Sequence, residues 1–209
     1  MGKHTEIELK ARVPGWRDCR RRLTELAGGG VPLVKDDSYW FPAGPAAGLR
    51  VRRERHTVAD GQTAEHTLVT GKTKERRDGI EINEEREFEV SDGAVFEEFL
   101  ERLGLEKRIS KRKTGWVWRC GGISAELVRV SGRGGFGGTG PETPDSAGTT
   151  KDLGWFLELE ILAGADCGAE TPAAAGRRLL DLLAKAGVGE TAIETRYYSE
   201  LLAGVVKIP

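Results

Sequence analysis

The sequence has few cysteines and histidines, and those it has form none of the common metal or redox motifs. None of its three cysteines lies in a CxxC pair, which argues against a disulfide framework or a structural zinc site and is typical of a reducing compartment. The three histidines lie far apart and show no HxxxH or HExxH spacing. We therefore expect no histidine to serve as a metal ligand or as the base of a catalytic triad.

Long apolar runs and an excess of charge of either sign are also absent. No apolar run approaches the roughly 20 residues that span a bilayer, and residues 1–12 contain no apolar signal-peptide core. The 32 Lys and Arg residues are balanced by 33 Asp and Glu residues, which argues against binding a nucleic-acid polymer through bulk positive charge. We expect a cytoplasmic protein with no membrane and no nucleic-acid partner.

The chain is long and apolar enough to fold around a core. With 209 residues, 38% of them hydrophobic, it is predicted to form a single domain over residues 1–209. Residues 131–150 are rich in Gly, Pro, Ser and Thr and contain almost no apolar side chains. This composition predicts a loop without fixed structure, inserted in a hairpin.

Alternation with a period of two residues is the dominant pattern. Between residues 4 and 13, Ile7 and Leu9 share one face of a predicted strand, and the opposite face is charged. Further strands are predicted at residues 33–41, 49–52, 66–72, 80–90, 107–119, 123–130 and 155–162. Helices are predicted from residue 16 to the glycines at 28–30, after residue 92 with a buried stripe that includes Phe99 and Leu103, after residue 171, and over residues 194–202.

The charged strand faces allow two interpretations. Each face could simply be solvated, as in an ordinary half-buried sheet. However, the amphipathic helices need an apolar surface to cover, and if they pack on the outside of a curved sheet, the charged faces line its interior. About eight antiparallel strands close such a sheet. The predicted fold class is therefore α+β, a closed eight-stranded antiparallel β-barrel, or tunnel, with helices packed on the outside.

A charged interior of this kind requires a ligand. Burying many like charges is prohibitively unfavourable unless ions or a ligand of opposite sign pair with them. Clustered Lys and Arg side chains suit a polyanion, and clustered Glu side chains suit hard divalent cations such as Mg²⁺ or Mn²⁺. A polyphosphate that chelates a divalent metal ion satisfies both sets at once.

Motifs along almost the whole chain resemble those of the CYTH superfamily, the triphosphate tunnel metalloenzymes named for class IV adenylate cyclases and thiamine triphosphatases. EIELK at residues 6–10 is similar to the family's ExExK motif, LRVR at 49–52 to LRxR, TGK at 70–72 to TxK and ERE at 85–87 to ExE. KRK at 111–113 resembles KxR, LGWFLELE at 153–160 resembles LGxFxExE, and YSELL at 198–202 resembles the terminal helix. The chain departs from the pattern at Asn83, where Arg is common, at Lys113, where the motif has Arg, and at Glu126, where Asp is usual. It also has a long glycine-rich insertion before Leu153.

The resemblance implies a divalent-metal-dependent enzyme that acts on a triphosphate-containing small molecule. By this resemblance, the phosphates are bound by Lys10, Arg50, Arg52, Lys72, Lys111, Lys113 and Arg196. One or two Mg²⁺ or Mn²⁺ ions are held by Glu6, Glu8, Glu158 and Glu160. Catalytic roles, completing a metal site or orienting water, fall to Glu85, Glu87 and Glu126.

Three functions remain open at this level. Hydrolysis of inorganic triphosphate, thiamine triphosphate or a nucleoside triphosphate requires only a triphosphate and a metal ion, and we favour it for that reason. Cyclisation of ATP to cyclic AMP and pyrophosphate also needs a nucleoside held in register, and no base-recognition motif is evident. A non-catalytic polyphosphate-binding module would not need Glu6 and Glu8 beside Lys10. A closed barrel would leave helix faces free for a homodimer.

Overall fold

The computed structural model describes residues 3–44, 48–57, 63–77, 80–134, 149–163 and 171–203. The strands are β1 (Lys3–Arg12), β2 (Val31–Phe41), β3 (Leu49–Thr57), β4 (Thr63–Arg77), β5 (Ile80–Val90), β6 (Glu106–Cys120), β7 (Ile123–Gly134) and β8 (Lys151–Ala163). The helices are α1 (Trp16–Ala27), α2 (Gly93–Arg102), α3 (Pro172–Lys185) and α4 (Tyr198–Ala203), with a 3-10 turn at Glu190–Ala192.

The strands form one closed antiparallel barrel, as the alternation predicted. Their order around the barrel is β1-β5-β4-β3-β2-β6-β7-β8, and β1 closes the ring by pairing with both β5 and β8. Strands β2 to β5 follow one another as hairpins, as do β6 to β8. The β1–β5 and β2–β6 pairs join segments that are far apart in the sequence.

The apolar strand faces point outward, under the helices. Ile7 and Leu9 of β1 and Leu157 and Leu159 of β8 are buried in the main core together with side chains of α1 and α3, such as Leu179. This packing confirms that the helices cover the outside of the barrel and leaves the charged faces to the interior. Tryptophans take part in the same packing, since the Trp16 ring of α1 stacks on the Trp155 ring of β8, with 4.4 Å between centroids.

One end of the interior is apolar. Leu33, Val128, Val130 and Phe156 share the inward parity of the charged residues on their strands and pack against Leu201 of α4. Tyr198 of α4 lies against the same cluster, with its ring edge-on to the Phe156 ring. Helix α4 therefore defines one end of the tunnel, which we call the α4 end.

The structure differs from the predictions at several element bounds and in the burial of α2. For example, β3 was predicted over residues 49–52 and extends to Thr57, and β4 was predicted over residues 66–72 and spans Thr63–Arg77. Residues 131–134 of the expected loop continue β7, because they keep the ladder to β6, and residues 135–148 lie outside the described residues. The C-terminal helix begins at Tyr198 rather than at residue 194, because Glu194 is drawn into contacts with β1. Phe99 and Leu103 of α2 are exposed, whereas Phe96 and Leu100 of the same helix pack into the cluster beneath it. Among the described residues, no helix is both long and apolar enough to cross a membrane.

Candidate functional site

The interior of the barrel brings together nearly all of the predicted site residues. Inward positions alternate along each strand, so residues two apart on one strand line the same lumen. Cross-strand pairing then sets acidic and basic strands side by side: Lys10 lies opposite Glu158, and Lys72 lies opposite Glu85. The buried or half-buried side chains that face the lumen are Glu6, Glu8, Lys10, Lys35, Asp37, Tyr39, Arg50, Arg52, Thr70, Lys72, Glu81, Glu85, Glu87, Lys111, Lys113, Glu126, Glu158 and Glu160.

Asp37 is the carboxylate on which several cations converge. Its Oδ1 accepts a hydrogen bond from Arg52 Nε at 2.7 Å and its Oδ2 accepts one from Arg52 Nη2 at 3.0 Å, and Lys111 Nζ also lies 3.0 Å from Oδ2. The three residues are cross-strand neighbours on β3, β2 and β6, which explains the convergence. Burial opposes ionisation, but Arg52 and Lys111 outweigh it and hold the pKa of Asp37 well below its ordinary value.

Glu158 is held from two sides. It accepts hydrogen bonds from Lys113 Nζ and, at 2.5 Å, from the hydroxyl of Tyr198. Burial opposes its ionisation, but the ammonium groups of Lys113 and Lys111 lower its pKa. The Tyr198 ring in turn packs beneath the ammonium groups of Lys10 and Lys111, both 4.8 Å from its centroid. Helix α4 thereby fixes carboxylate and cations together.

Lys72 bridges the carboxylates of the β1 and β5 faces. Its Nζ lies 2.7 Å from Glu6, 2.6 Å from Glu85 and 3.7 Å from Glu8. Burial raises the pKa of Glu6 to about 7, and the neighbouring Glu85 adds to the shift. Burial also opposes ionisation of Glu85, but Lys72 and Arg50 lower its pKa to about 2. The two carboxylates are therefore unequal: Glu85 is ionised at neutral pH, whereas Glu6 binds a proton much more readily.

Glu126 and Glu160 lie on β7 and β8, among further acidic groups. Lys35 Nζ donates to Glu126 at 2.6 Å, whereas the other oxygen of Glu126 is buried and has no hydrogen-bond partner among the described residues. Burial raises the pKa of Glu160 to about 8, and the charges of Glu6 and Glu126 contribute to that rise. A cation bound among these carboxylates would relieve the repulsion between them.

Glu87 is linked to Arg50 through a threonine. Arg50 Nη2 donates to Thr70 Oγ1 at 3.0 Å, and the Thr70 hydroxyl donates to Glu87 at 2.9 Å. Arg50 Nη2 also lies 3.6 Å from Glu87. The Arg50 Nε is buried and has no partner among the described residues, so this guanidinium keeps a free donor in the lumen.

Arg196 is the one predicted site residue that lies apart from this set. Its guanidinium donates to both oxygens of Glu194, at 2.9 Å and 2.7 Å. Glu194 also accepts a hydrogen bond from Arg12 Nε at 2.9 Å, so the three residues form a cluster, and the Arg12 guanidinium lies 4.9 Å from the centroid of the Phe156 ring. Arg196 lines neither of the two cavities described below.

Two connected cavities occupy the lumen. The smaller, of about 40 Å³, is lined almost wholly by charged groups and reaches Lys35, Glu126 and Glu160; we call it the carboxylate pocket. The larger, of about 340 Å³, lies toward α4 and includes Tyr39, Lys111 and Tyr198; we call it the α4 cavity. Both are lined by Glu8, Arg50, Arg52, Lys72 and Lys113.

Sequence reasoning missed the inward face of β2. Lys35, Asp37 and Tyr39 alternate along that strand and enter the lumen, but Asp36 and Ser38 between them are also polar, so no apolar face marks the strand. The available signal was the spacing of Lys35 and Asp37, which matches the charged spacing on β3 and β6.

Asn83, buried on β5 opposite Glu6, has neither amide atom paired among the described residues.

The donors present fit a hard divalent cation. They are carboxylate oxygens; burial, and after it the neighbouring carboxylates, raise the pKa values of Glu6 and Glu160, and a bound cation would favour the ionised form of both. The unpartnered oxygen of Glu126 is a further available donor. His4, Glu6 and Glu85 also offer ligand atoms within 4.8 Å of one another. His4 is thus close enough to these two carboxylates to share a metal ion with them, whereas the sequence predicted no histidine ligand.

Comparison with known proteins identifies the fold. No protein-family model matches this sequence, and no curated protein sequence matches it either. A protein of Pyrococcus horikoshii is similar in structure with a TM-score of 0.69 and 22% identity, covering 95% of this chain and 98% of its own. A putative adenylate cyclase from Vibrio parahaemolyticus gives a TM-score of 0.65 at 19% identity, covering 97% of this chain and 99% of its own.

A third structure is a putative adenylyl cyclase from Hippeastrum described as having a dominant triphosphatase activity. Its TM-score is 0.55 at 15% identity, and the similarity covers 97% of either chain. These likenesses extend over nearly the full length, so they concern the whole barrel. Together with the observed strand order, they show that this chain has the closed tunnel fold that its resemblance to the CYTH superfamily predicted.

Proposed function

We propose that this protein is a divalent-metal-dependent hydrolase of a triphosphate-containing small molecule. The observation that carries the proposal is that buried cations and buried carboxylates alternate in one lumen. Among the described residues, this lumen keeps both a hydrogen-bond donor and a carboxylate oxygen without a partner. Arg50 Nε is an unused donor for a phosphate oxygen, and one oxygen of Glu126 is an unused acceptor. A lumen that only bound an anion would need no buried carboxylates beyond those that neutralise its cations.

The cations bind and orient the phosphates. Arg50 and Arg52 offer planar guanidinium groups, which suit bidentate contacts with phosphate, and Lys72 and Lys113 act as point charges. All four line both cavities, so a phosphate chain lying along the tunnel would pass between them. Lys10 and Lys111 extend this set toward α4. Most of the rate enhancement in phosphoryl transfer comes from such positioning and charge neutralisation.

The carboxylates hold the metal ion and move a proton. Glu6, Glu8, Glu158 and Glu160 would hold Mg²⁺ or Mn²⁺, which when bound neutralises phosphate charge and acts as a Lewis acid. Lys35 and Lys113 keep the pKa of Glu126 below its ordinary value despite burial, so this carboxylate is ionised and can orient water and accept its proton. The water oxygen forms a bond to the terminal phosphorus while the bond to the bridging oxygen breaks, releasing orthophosphate.

Two structural neighbours support an enzyme of this kind. The Vibrio parahaemolyticus protein is called a putative adenylate cyclase, and the Hippeastrum protein is described by its triphosphatase activity. Because the Vibrio parahaemolyticus protein is called a putative adenylate cyclase, cyclisation of ATP is the second candidate function. Hydrolysis is favoured because the charged groups described above require a triphosphate and a metal ion and no nucleoside.

Product analysis tests the proposal. We expect phosphate release from at least one of tripolyphosphate, ATP and thiamine triphosphate when Mg²⁺ or Mn²⁺ is present, and none when the metal is chelated. Cyclic AMP and pyrophosphate from ATP would instead establish the cyclase. If none of the three substrates gives a metal-dependent product, the protein is not an enzyme of this kind and the binding-module alternative stands.

A further inference from the structure

A third cavity, of about 370 Å³, lies on the outer wall of the barrel, and we call it the outer cleft. Its floor is formed by Asp36 and Ser38 of β2, Ser110 and Arg112 of β6, and Ser131 and Arg133 of β7. Arg53 of β3, Glu97 of α2 and Lys107 of β6 also line it. Its volume lies within the usual range of about 300–1,000 Å³ for small-molecule pockets, so a small ligand fits it.

Strand pairing places the side chains of the floor in two outward-facing rows. Ser38 pairs with Ser110, which pairs with Arg133, and Asp36 pairs with Arg112, which pairs with Ser131. These residues alternate along their strands with Asp37 and Lys111, whose side chains bind each other in the lumen, so the two rows face the opposite way. On β1 and β8, by contrast, the outward positions are apolar and covered by helices.

Cations outnumber carboxylates around the outer cleft. Asp37 and Lys111 contribute to its lining as well, but their charges neutralise each other at 3.0 Å. The remaining charged residues that line it are two carboxylates, Asp36 and Glu97, and four cations, Arg53, Lys107, Arg112 and Arg133. Four cations against two carboxylates leave an excess of two positive charges, which attracts an anion.

The Asp36 carboxylate is already fully used. Arg112 donates to it through Nε at 2.6 Å and Nη2 at 2.8 Å, and Arg55 donates through Nη2 at 3.0 Å. Arg133, at the end of the neighbouring row, has no ion-pair partner within the part of the chain that the structure describes. Its guanidinium is therefore available to a ligand.

The Glu97 carboxylate is shared in the same way. Arg53 Nη2 lies 3.2 Å from one of its oxygens, and Lys107 Nζ lies 3.9 Å from the other. Each carboxylate of the outer cleft thus faces two cations, so the positive charge that remains is not neutralised by the lining itself.

The donors of the outer cleft suit phosphate oxygens. Guanidinium groups bind phosphate through paired N–H donors, and the hydroxyls of Ser38, Ser110 and Ser131 are further donors. These donors come from three strands, and a phosphate group presents several oxygens in different directions, whereas a carboxylate presents two in one plane. We propose that the outer cleft is a second anion site, separate from the lumen, that binds a small phosphate-bearing molecule on the outside of the barrel.

NMR of the arginine Nε–H groups during titration with orthophosphate or glycerol phosphate tests the inference. Divalent metal is chelated and ionic strength is held constant, so neither turnover nor screening changes during the titration. Arg112 and Arg133 report on the outer cleft, and Arg50 and Arg52 report on the lumen. We expect the Arg112 and Arg133 signals to shift to saturation with a dissociation constant of about 1 mM or tighter for at least one probe.

Variants of the outer cleft separate a built site from bulk charge. Read from the Arg112 signal, Arg133→Gln should weaken binding about fivefold or more, because a charge-assisted contact is lost. Ser110→Ala should also weaken it, although the net charge is unchanged. Asp36→Asn should tighten it about threefold or more, since a negative charge is removed and Arg112 is released to the ligand. Arg119→Gln, exposed on β6 and outside all three cavities, is the matched control.

The outcomes either support or overturn the inference. Saturation at Arg112 and Arg133 that responds to the variants in these directions supports it, whatever happens at Arg50 and Arg52. Shifts confined to the lumen arginines, or a response at the outer cleft that does not saturate, overturn it. Equal weakening by Arg133→Gln and Arg119→Gln also overturns it, because net charge alone would then explain the binding. Since no turnover is measured, this result and that of the hydrolase assay are independent.

Discussion

Asp37 and Asp36 show how one step along a strand changes what a carboxylate does. Asp37 points into the lumen, where it is buried and binds Arg52 and Lys111. Asp36 points outward, where it binds Arg112 and Arg55 with partial exposure to solvent. Both have a lowered pKa, Asp36 chiefly through its hydrogen bond from Arg112. Asp37 should nevertheless contribute more to the free energy of unfolding than Asp36, because solvent screens only the outward ion pairs.

Asp37→Asn should therefore lower the free energy of unfolding by about 3–5 kcal/mol, the usual penalty for leaving a buried charge without its partner. Asp36→Asn is the matched control and should lower it by about 1 kcal/mol or less. Urea denaturation of the two variants measures both values. Equal losses would contradict the assignment of Asp37 to the buried network.

Glu8→Gln should abolish metal-dependent hydrolysis, with a loss of about a hundredfold or more in kcat/KM, because an amide is a weaker ligand for a hard cation than a carboxylate. Glu8 is suited to the test because it lines both cavities and Lys72 lowers its pKa despite burial, so it is charged before a metal ion binds. The measurement is phosphate release as a function of Mn²⁺ concentration.

The control for this variant is Glu101→Gln, an exposed carboxylate on α2. It should retain full activity, and circular dichroism should show that both variants are folded. Full activity of Glu8→Gln would remove Glu8 from the metal-binding set.

The lumen residues that were predictable from the sequence are those on strands with a clean apolar face. On β1 and β8, uninterrupted alternation separates Glu6, Glu8, Glu158 and Glu160 from the leucines and isoleucines, so their common face could be predicted. On β2, no such contrast exists, and Lys35 and Asp37 were missed. Alternation identifies the residues that share a face; it does not identify the ion pairs among them, because the cross-strand register depends on the closed barrel.

Helix α2 illustrates which properties of an element the sequence can specify. Its start was predictable, because Asp92 accepts hydrogen bonds from the backbone N–H groups of Ala94 and Val95 as an N-cap. The helix nevertheless buries less than its sequence suggests, with Phe99 and Leu103 exposed. Amphipathic spacing predicts a covering helix but does not specify how much of the barrel lies beneath it.

Replacing the cap tests the element directly. Asp92→Ala should lower the free energy of unfolding by about 1 kcal/mol, since two backbone N–H groups lose their acceptor. Ser91→Ala, one residue earlier and exposed, is the control and should have a much smaller effect. Urea denaturation distinguishes the two, and similar values for both variants would show that Asp92 does not cap the helix.

At the scale of the whole molecule, Glu194 connects the chain after α3 to the first strand. Its backbone N–H donates to the Lys10 carbonyl at 2.8 Å, and its carboxylate accepts from Arg12 and Arg196. Burial opposes its ionisation, but the hydrogen bonds from Arg196 and Arg12 lower its pKa to about 2. Because the folded pKa is below the unfolded one, the ionised carboxylate stabilises the fold at neutral pH, and this contribution is lost as the pH falls.

The loss should occur between about pH 4.5, where the carboxyl of the unfolded chain is half protonated, and about pH 2, where that of the folded chain is. We expect Glu194→Gln to remove about 1–2 kcal/mol of stability at pH 7 and to flatten the dependence of stability on pH in that window. Thermal unfolding at a series of pH values measures this, with the exposed Glu190→Gln as the control. An unchanged slope would contradict the role of Glu194.

The order of strands around the barrel was beyond the reach of the sequence. Consecutive strands pair as hairpins because the connection between them is local. The β1–β5 and β2–β6 pairs join strands that are not consecutive, and they form because only a closed ring gives every edge strand a partner. The apolar filling of the α4 end was also not predictable, because Val128 and Phe156 lie at positions where the simple pattern places charges. The expected cytoplasmic location and homodimer stay predictions.

The pairing of β1 with β8 has a consequence for how the protein folds. The ladder from Thr5–Ala163 to Arg12–Phe156 spans about three-quarters of the chain, so its formation must await the synthesis and arrangement of all the strands between. Such long-range contacts slow folding. Glu8 lies on β1 and Glu158 on β8, so opening this seam separates two of the proposed metal ligands. A bound substrate should therefore protect the backbone amides of the seam from exchange with deuterium as strongly as it resists global unfolding.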